Sequence, residues 1–273
     1  MSVVVRKSLG RQLAALRHAA GVRPSQVAAS KIASTSKLHR LEHGEVSVRL
    51  ETVWALCDLY KASPEVKSRL SAMSLNTDKN GWWEGFSDLI VNPHFGTYVE
   101  LESIADGLCA WEEQFVHGLF QVPEYTAAIF DAHSQATGLQ QDRNRQVAFR
   151  RERQKNVFNR ANAMRMSIVL GAGALLQQVG GARALDAQRK HLLTVAERPG
   201  VDILVLPWTA PAHALMGSSL SLLHFDAEDI PDVAYVEALF GGRYEEAAAT
   251  VSLQRKKYDH LLSLAVPIEE YLR

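Results

Sequence analysis

Between Ser34 and Gly44 the chain reads Ser-Thr-Ser-Lys-Leu-His-Arg-Leu-Glu-His-Gly, and these residue types suit contact with duplex DNA. Small hydroxyl side chains at Thr35 and Ser36 let a helix backbone come close to a groove, while Lys37 and Arg40 can reach guanine edges or phosphates. Leu38 and Leu41 fall on the opposite face and anchor the helix, leaving Ser36, Lys37, His39 and Arg40 outward. Ser34 is the candidate N-cap and Gly44 the closing residue. His39 and His43 read as solvated helix residues rather than as a pH switch.

Such a helix needs others to hold it. Leu9, Leu13 and Leu16 recur at helical spacing after Ser8, which predicts a helix over about 8–20 ended by Gly21. Pro24 opens a short second helix, Ser25 to about Lys31, with Val27 and Ala28 inward. A fourth helix is expected at about Leu50–Tyr60, and Pro64 opens a fifth, giving a compact bundle of about five helices over residues 1–70. The stretches Leu9-Gly10-Arg11-Gln12-Leu13, Ser25-Gln26-Val27-Ala28 and Ser34 to Gly44 together resemble the Cro/CI-type (XRE family) helix-turn-helix over about residues 8–62. The resemblance implies double-stranded DNA as partner. It places Gln26 on phosphate or base, Thr35, Ser36, Lys37 and His39 along the groove, Arg40 on backbone or base, and Glu42 in an internal cap or pair.

One departure stands at the turn between the second and third helices. Lys31-Ile32 occupies the place where the family has an apolar residue and then glycine, and branched Ile32 resists the left-handed conformation that glycine supplies. Either the turn is built differently, with Ile32 supplying the apolar contact, or DNA binding is weakened. A helical bundle for protein contacts alone is the bland alternative.

Charge supports the division. Residues 1–70 carry 12 Lys/Arg against 5 Asp/Glu, a net of +7, and the remainder carries 18 against 25, a net of −7, inside a chain of 273 residues with zero net charge. A basic module joined to an acidic one fits a nucleic-acid-binding domain fused to something else. The length suggests two domains. No apolar run approaches the ~18 residues of a membrane span, so no membrane partner is expected and the protein reads as cytoplasmic. The two cysteines, Cys57 and Cys109, have no metal or redox spacing and read as core residues.

Residues 71–80 read as a polar linker, and residues 81–273 as a larger mixed α/β domain, so the fold class expected for the whole chain is α+β. Gly81-Trp82-Trp83-Glu84-Gly85-Phe86 could be a ligand cage or a segment docked on a core. Helical patterns run over 98–102, Ile104–Glu112 and 142–164, the last carrying Arg143, Arg145, Arg150, Arg151, Arg153, Lys155 and Arg160. That basic helix could be a solvated face paired with the acidic remainder, a second phosphate-contacting surface or the seat of an acidic partner. A sheet of about four strands is expected, at 166–171, 202–206, 219–225 and 233–237, with helices at about 182–197 and 243–263.

This half resembles the domain that follows the helix-turn-helix in actinomycete regulators of the WhiJ-like, antitoxin-like kind. The matching elements are Glu102 to Glu112, Gly118 to Tyr125, Arg150 to Gln154, Pro199 to Pro207 and Tyr235-Val236-Glu237. Two departures are His117 where proline is usual and Gly173 where an acidic residue is common. The resemblance makes a small partner protein a plausible binder. Around the turn at His117–Tyr125, an apolar wall of Leu119, Phe120 and Trp111 with His117, Gln121 and Tyr125 as polar tips fits either a small-molecule effector or partner site or an ordinary buried turn.

His213, His224, Asp226, Asp229 and Glu237 lack zinc spacing, and neither G-x-S-x-G nor a P-loop is present. No metal, cofactor or catalysis is expected, although an enzyme with a vestigial helix-turn-helix is the alternative class. Helix-turn-helix proteins of this type pair on half-sites about 10 bp apart. The small basic module offers little apolar surface for pairing, so a homodimer is expected through the acidic half.

Overall fold

The computed structural model describes residues 3–76, 82–89, 93–139, 142–160, 162–226, 230–238 and 241–273. The chain forms two compact units that divide at residues 84 and 85. The first holds five helices: α1 (Val3–Ala19), α2 (Pro24–Ala29), α3 (Thr35–Glu42), α4 (Leu50–Leu59) and α5 (Pro64–Asn76). Their apolar faces meet in one core of Leu9, Leu13, Val27, Leu38, Leu41, Val53, Leu56, Cys57 and Leu70. Residues 71–76, read from sequence as the start of a linker, continue α5; residues 77–80 lie outside the described residues.

Both ends of α3 are built as its sequence suggests. Ser34 Oγ accepts the Lys37 N–H at 3.2 Å, and Gly44 closes the helix at a φ of 67°, where glycine carries no steric penalty. The turn before α3 is built differently from the family pattern. Lys31, not Ile32, takes the left-handed conformation, at a φ of 60°, and Ile32 packs against the bundle core. The turn is therefore built one residue earlier than the family pattern suggests. A non-glycine residue held left-handed carries a penalty of roughly 1–2 kcal/mol, partly offset in any glycine variant by greater unfolded-state freedom. Lys31→Gly should stabilise the protein by about 0.5–1 kcal/mol, read as a raised midpoint in thermal unfolding.

The second unit is a mixed sheet with helices. In chain order come α6 (Pro93–Ile104), β1 (Gly107–Glu112), α7 (Pro123–Thr137), α8 (Arg143–Phe158), β2 (Arg165–Gly171), α9 (Ala182–Ala196) and β3 (Val201–Leu206). After them come β4 (Leu220–His224), β5 (Val233–Val236), β6 (Arg243–Glu245), α10 (Ala248–Leu262), β7 (Val266–Pro267) and α11 (Ile268–Tyr271). The sheet has seven strands in the order β6-β5-β4-β1-β2-β3-β7, which corrects the expectation of about four. β1, β2 and β3 run parallel, joined by helical crossovers, while β4, β5, β6 and β7 pair antiparallel.

The main miss is β1. Its stretch Gly-Leu-Cys-Ala-Trp-Glu was expected to continue a helix, yet it is a central strand paired on both sides. A strand covered on both faces reads as a continuous apolar run, which periodicity alone does not separate from a buried helix. The short β6 and β7 likewise lack a periodic signal, and β6 takes the residues expected to start the last long helix.

Residues alternate across β1 and set up the two faces of the sheet. Cys109 and Trp111 point to the α10 side, where Trp111 joins Leu220, Leu222, Val251, Tyr258 and Leu261 in a core. Ala110 belongs to the opposite face, in a cross-strand row with Ser221 of β4 and Tyr235 of β5. Among the described residues no helix is long and apolar enough to cross a membrane.

Candidate functional site

Two groups of predicted residues lie one in each unit. On the first, Gln26, Thr35, Ser36, Lys37, His39 and Arg40 are all exposed, because Leu38 and Leu41 turn the other face of α3 into the core. Gln26 Oε1 accepts the Arg23 N–H at 2.8 Å, so its carbonyl caps α2 while its NH₂ remains for an outside partner. Arg40 lies 3.7 Å from Glu45 with both side chains exposed, a contact too solvated to hold it. His39 stacks on His43 with centroids 4.0 Å apart.

Beneath this surface Arg17 of α1 grips Glu42 at the end of α3 through two hydrogen bonds of 2.6 and 2.9 Å. The Arg17 guanidinium also donates to the Val22 carbonyl at 3.2 Å. Its bond to Glu42 raises the Arg17 pKa further. Glu42 thus pairs internally and fixes α3 against α1 rather than reading a base.

In the second unit a cavity of about 630 Å³ opens between the sheet face carrying Ser221 and Tyr235 and the helices α6, α7 and α8. His117 and Gln121 line it, Tyr125 stands behind them, and Trp111 is on the other side of the sheet, donating its indole N–H to the Leu215 carbonyl at 3.0 Å. The structure therefore brings together His117, Gln121 and Tyr125 but not Trp111, because a strand turns Trp111 and Glu112 to opposite faces where a helix would not. Gln121 donates to the Val116 carbonyl at 2.7 Å and accepts from Thr126 at 3.1 Å. The Tyr125 hydroxyl accepts the Val116 N–H at 3.3 Å. Both side chains hold the loop that presents His117.

His117 begins a directed chain of hydrogen bonds. Its Nδ1 accepts the Leu119 N–H at 3.3 Å, so the neutral ring carries its proton on Nε2, 3.3 Å from the Tyr98 hydroxyl. Tyr98 in turn donates to Ser221 Oγ at 3.3 Å. Burial, with the charges of Arg153 and Arg150, holds the His117 pKa well below the usual imidazole range.

Four further groups at this cavity were not picked out as site residues by sequence reasoning. Arg153 forms a bidentate pair with Glu102 at 2.6 Å through both bonds, the two side chains 3% and 0% exposed. Arg150, one turn earlier on α8, is partly buried. Burial and the Arg153 charge bring its pKa down to about 9. Gly118 makes room for it, since a Cβ there would collide with the Arg150 guanidinium. Burial pushes the Glu112 carboxyl up to about 7, against a hydrogen bond from Ser219. Glu237 accepts a hydrogen bond from the Tyr235 hydroxyl. A signal for these groups did exist: each falls within a sequence element matched to the WhiJ-like domain, elements that lie far apart in the chain.

Of the other cations of the basic helix, Arg151 is exposed and four are used locally. Arg143 pairs with Asp131 at 3.0 Å, Arg145 with Asp88, Lys155 with Glu152 at 2.6 Å, and Arg160 with the Ala105 carbonyl at 2.6 Å. Phe86 packs on Phe149 with centroids 5.5 Å apart; the side chains of Trp82 and Trp83, expected as a cage or a docked segment, lie outside the described residues. Cys57 is buried, whereas Cys109 is only partly so and accepts a hydrogen bond from Arg255 at 2.7 Å.

Among the described residues no group of three or more His, Cys, Asp or Glu is placed to hold a metal. His224 lies between Asp232 at 2.8 Å and Asp226 at 3.1 Å. Asp229 is outside the described residues.

A capped, exposed α3 on a five-helix bundle, followed by a separate mixed α/β unit, is the arrangement of a helix-turn-helix regulator. A family model described as a helix-turn-helix domain matches residues 8–70. A second, described as a domain of unknown function (DUF5753), matches residues 95–272, and the chain belongs to that family. Neither a curated protein nor a solved structure matches the chain.

Proposed function

We propose that the protein is a sequence-specific transcriptional regulator of the Cro/CI type, with the bundle α1–α5 as the DNA-binding domain and the second unit as a WhiJ-like effector domain. The observation that carries this reading is the exposed row Thr35, Ser36, Lys37, His39 and Arg40 on a helix whose other face is locked into a core. The row supplies small polar and cationic groups along a surface that fits the major groove.

The effector domain binds a small molecule, supported by a cavity of about 630 Å³, within the range of roughly 300–1,000 Å³ that such ligands use. An antitoxin-like role, sequestering a small partner protein, rests on resemblance alone. The regulator pairs as a homodimer through the larger unit, because the exposed face of α3 is polar.

The test is a titration of duplex DNA selected by the protein itself, followed by fluorescence anisotropy across a salt series. Replacing Lys37 and Arg40 together by Ala should weaken binding by about 1–3 kcal/mol for each residue that reads a base. For each residue that meets phosphate, the salt slope should fall by about 1. Unchanged affinity and slope in that double variant would remove α3 from the interface.

A further inference from the structure

The groups around the cavity are unevenly satisfied. Arg153 is matched by Glu102, and Glu237 is met by the Tyr235 hydroxyl. For Arg150, no hydrogen bond or ion pair to another described residue accompanies its partly buried guanidinium. Partial burial and the neighbouring Arg153 charge disfavour the charged form of this guanidinium and lower its pKa, a cost that an anion placed on it would offset.

The hydrogen-bond chain that starts at the Leu119 N–H runs through His117 and Tyr98, each step donating forward, and ends on Ser221 Oγ. Ser221 also lines the cavity, so its own proton is left to donate there. Around these donors stand Phe95, Phe115, Val116, Ile129 and Phe130.

From this juxtaposition we infer that the cavity takes a small monocarboxylic acid with an aromatic or branched apolar body, its carboxylate on Arg150 and within reach of the Ser221 hydroxyl. The planar fork of a guanidinium fits a carboxylate through two parallel bonds. A single negative charge is favoured over a phosphate dianion because Glu112 and Glu237 share the same cavity. The Glu112 carboxyl, held near neutrality by its burial, adds less repulsion toward one charge than an ordinary carboxylate would. The apolar wall accounts for the rest of the ligand.

This inference rests on the small-molecule reading of the second unit, and the experiment separates the two. The full-length protein is titrated calorimetrically with a series of aryl- and alkyl-carboxylates, from benzoate to naphthylacetate, and with the matching neutral amides. The acids should bind at least about tenfold tighter than their amides, the scale of one charge-assisted bidentate contact. Arg150→Gln should erase that preference, and Arg150→Lys, which keeps the charge and guards against a folding defect, should retain part of it.

Amides that bind as tightly as the acids would overturn the carboxylate assignment and leave a small-molecule site standing. So would a preference unmoved by Arg150→Gln in a protein with a normal thermal transition. Binding by no member of either series would overturn both readings.

Discussion

Arg153→Met should lower the stability of the second unit by about 3–5 kcal/mol, the largest effect expected of any single substitution in the chain. Glu102 is 0% exposed, and its two oxygens receive both hydrogen bonds from the Arg153 fork at 2.6 Å. Burial opposes the Arg153 charge, but the adjacent Glu102 outweighs it and keeps the guanidinium firmly protonated. Methionine preserves the length of the side chain and its packing near Phe95 and Tyr98, whose ring centroids lie 5.3 and 5.4 Å from the guanidinium carbon. What it removes is the bidentate partner of Glu102, leaving an acid in the core. Urea unfolding of the wild type, Arg153→Met and the double variant Arg153→Met with Glu102→Gln measures the effect. The double variant should recover a substantial part of the loss, because a neutral amide no longer carries the desolvation penalty of a charge. A loss below about 1 kcal/mol in the single variant would show the pair to be dispensable.

Arg17→Met should destabilise the first unit by about 3 kcal/mol and remove DNA binding at warm temperature without touching the DNA surface. Arg17 and Glu42 are 8% and 9% exposed and join α1 to the end of α3. The same guanidinium bonds the Val22 carbonyl beyond the end of α1, so one side chain ties three segments. A bundle of this size has only several kcal/mol in reserve, and a loss of 3 takes much of it. Circular dichroism should show a transition lowered by roughly ten degrees or more. In the cold, where the variant still folds, its affinity for DNA should stay within a few-fold of the wild type. A large loss of affinity that persists in the cold would mean that Arg17 contacts DNA itself or that α3 has shifted with the bundle still folded.

Much of the first unit was legible because its rules are local. The caps at Ser34 and Gly44, the proline at position 24 and the leucine spacing all act within a few residues, so sequence specified α3 to the residue. Even there, the left-handed turn residue proved to be Lys31. Which of two neighbours turns depends on which one the core accepts, and Ile32 has an apolar place to fill.

The second unit shows the boundary more sharply. β2, β3, β4 and β5 carried enough β-branched and apolar residues to be recognised, and the central β1 between β4 and β2 was not. β1 is decided by neighbours more than fifty residues away in β2 and more than a hundred away in β4, and its own sequence carries no trace of those pairings. The same is true of α8. By composition its cations form one basic helix. In the folded protein Arg153 belongs to Glu102, Arg145 to Asp88, and Arg150 to the cavity. Sequence by itself determined that this protein joins a basic helix-turn-helix bundle to an acidic α/β unit, since periodicity, caps and net charge are additive along a chain. Only the tertiary structure decided which charges are paired and which face a cavity, because that depends on distances between residues that the chain keeps far apart.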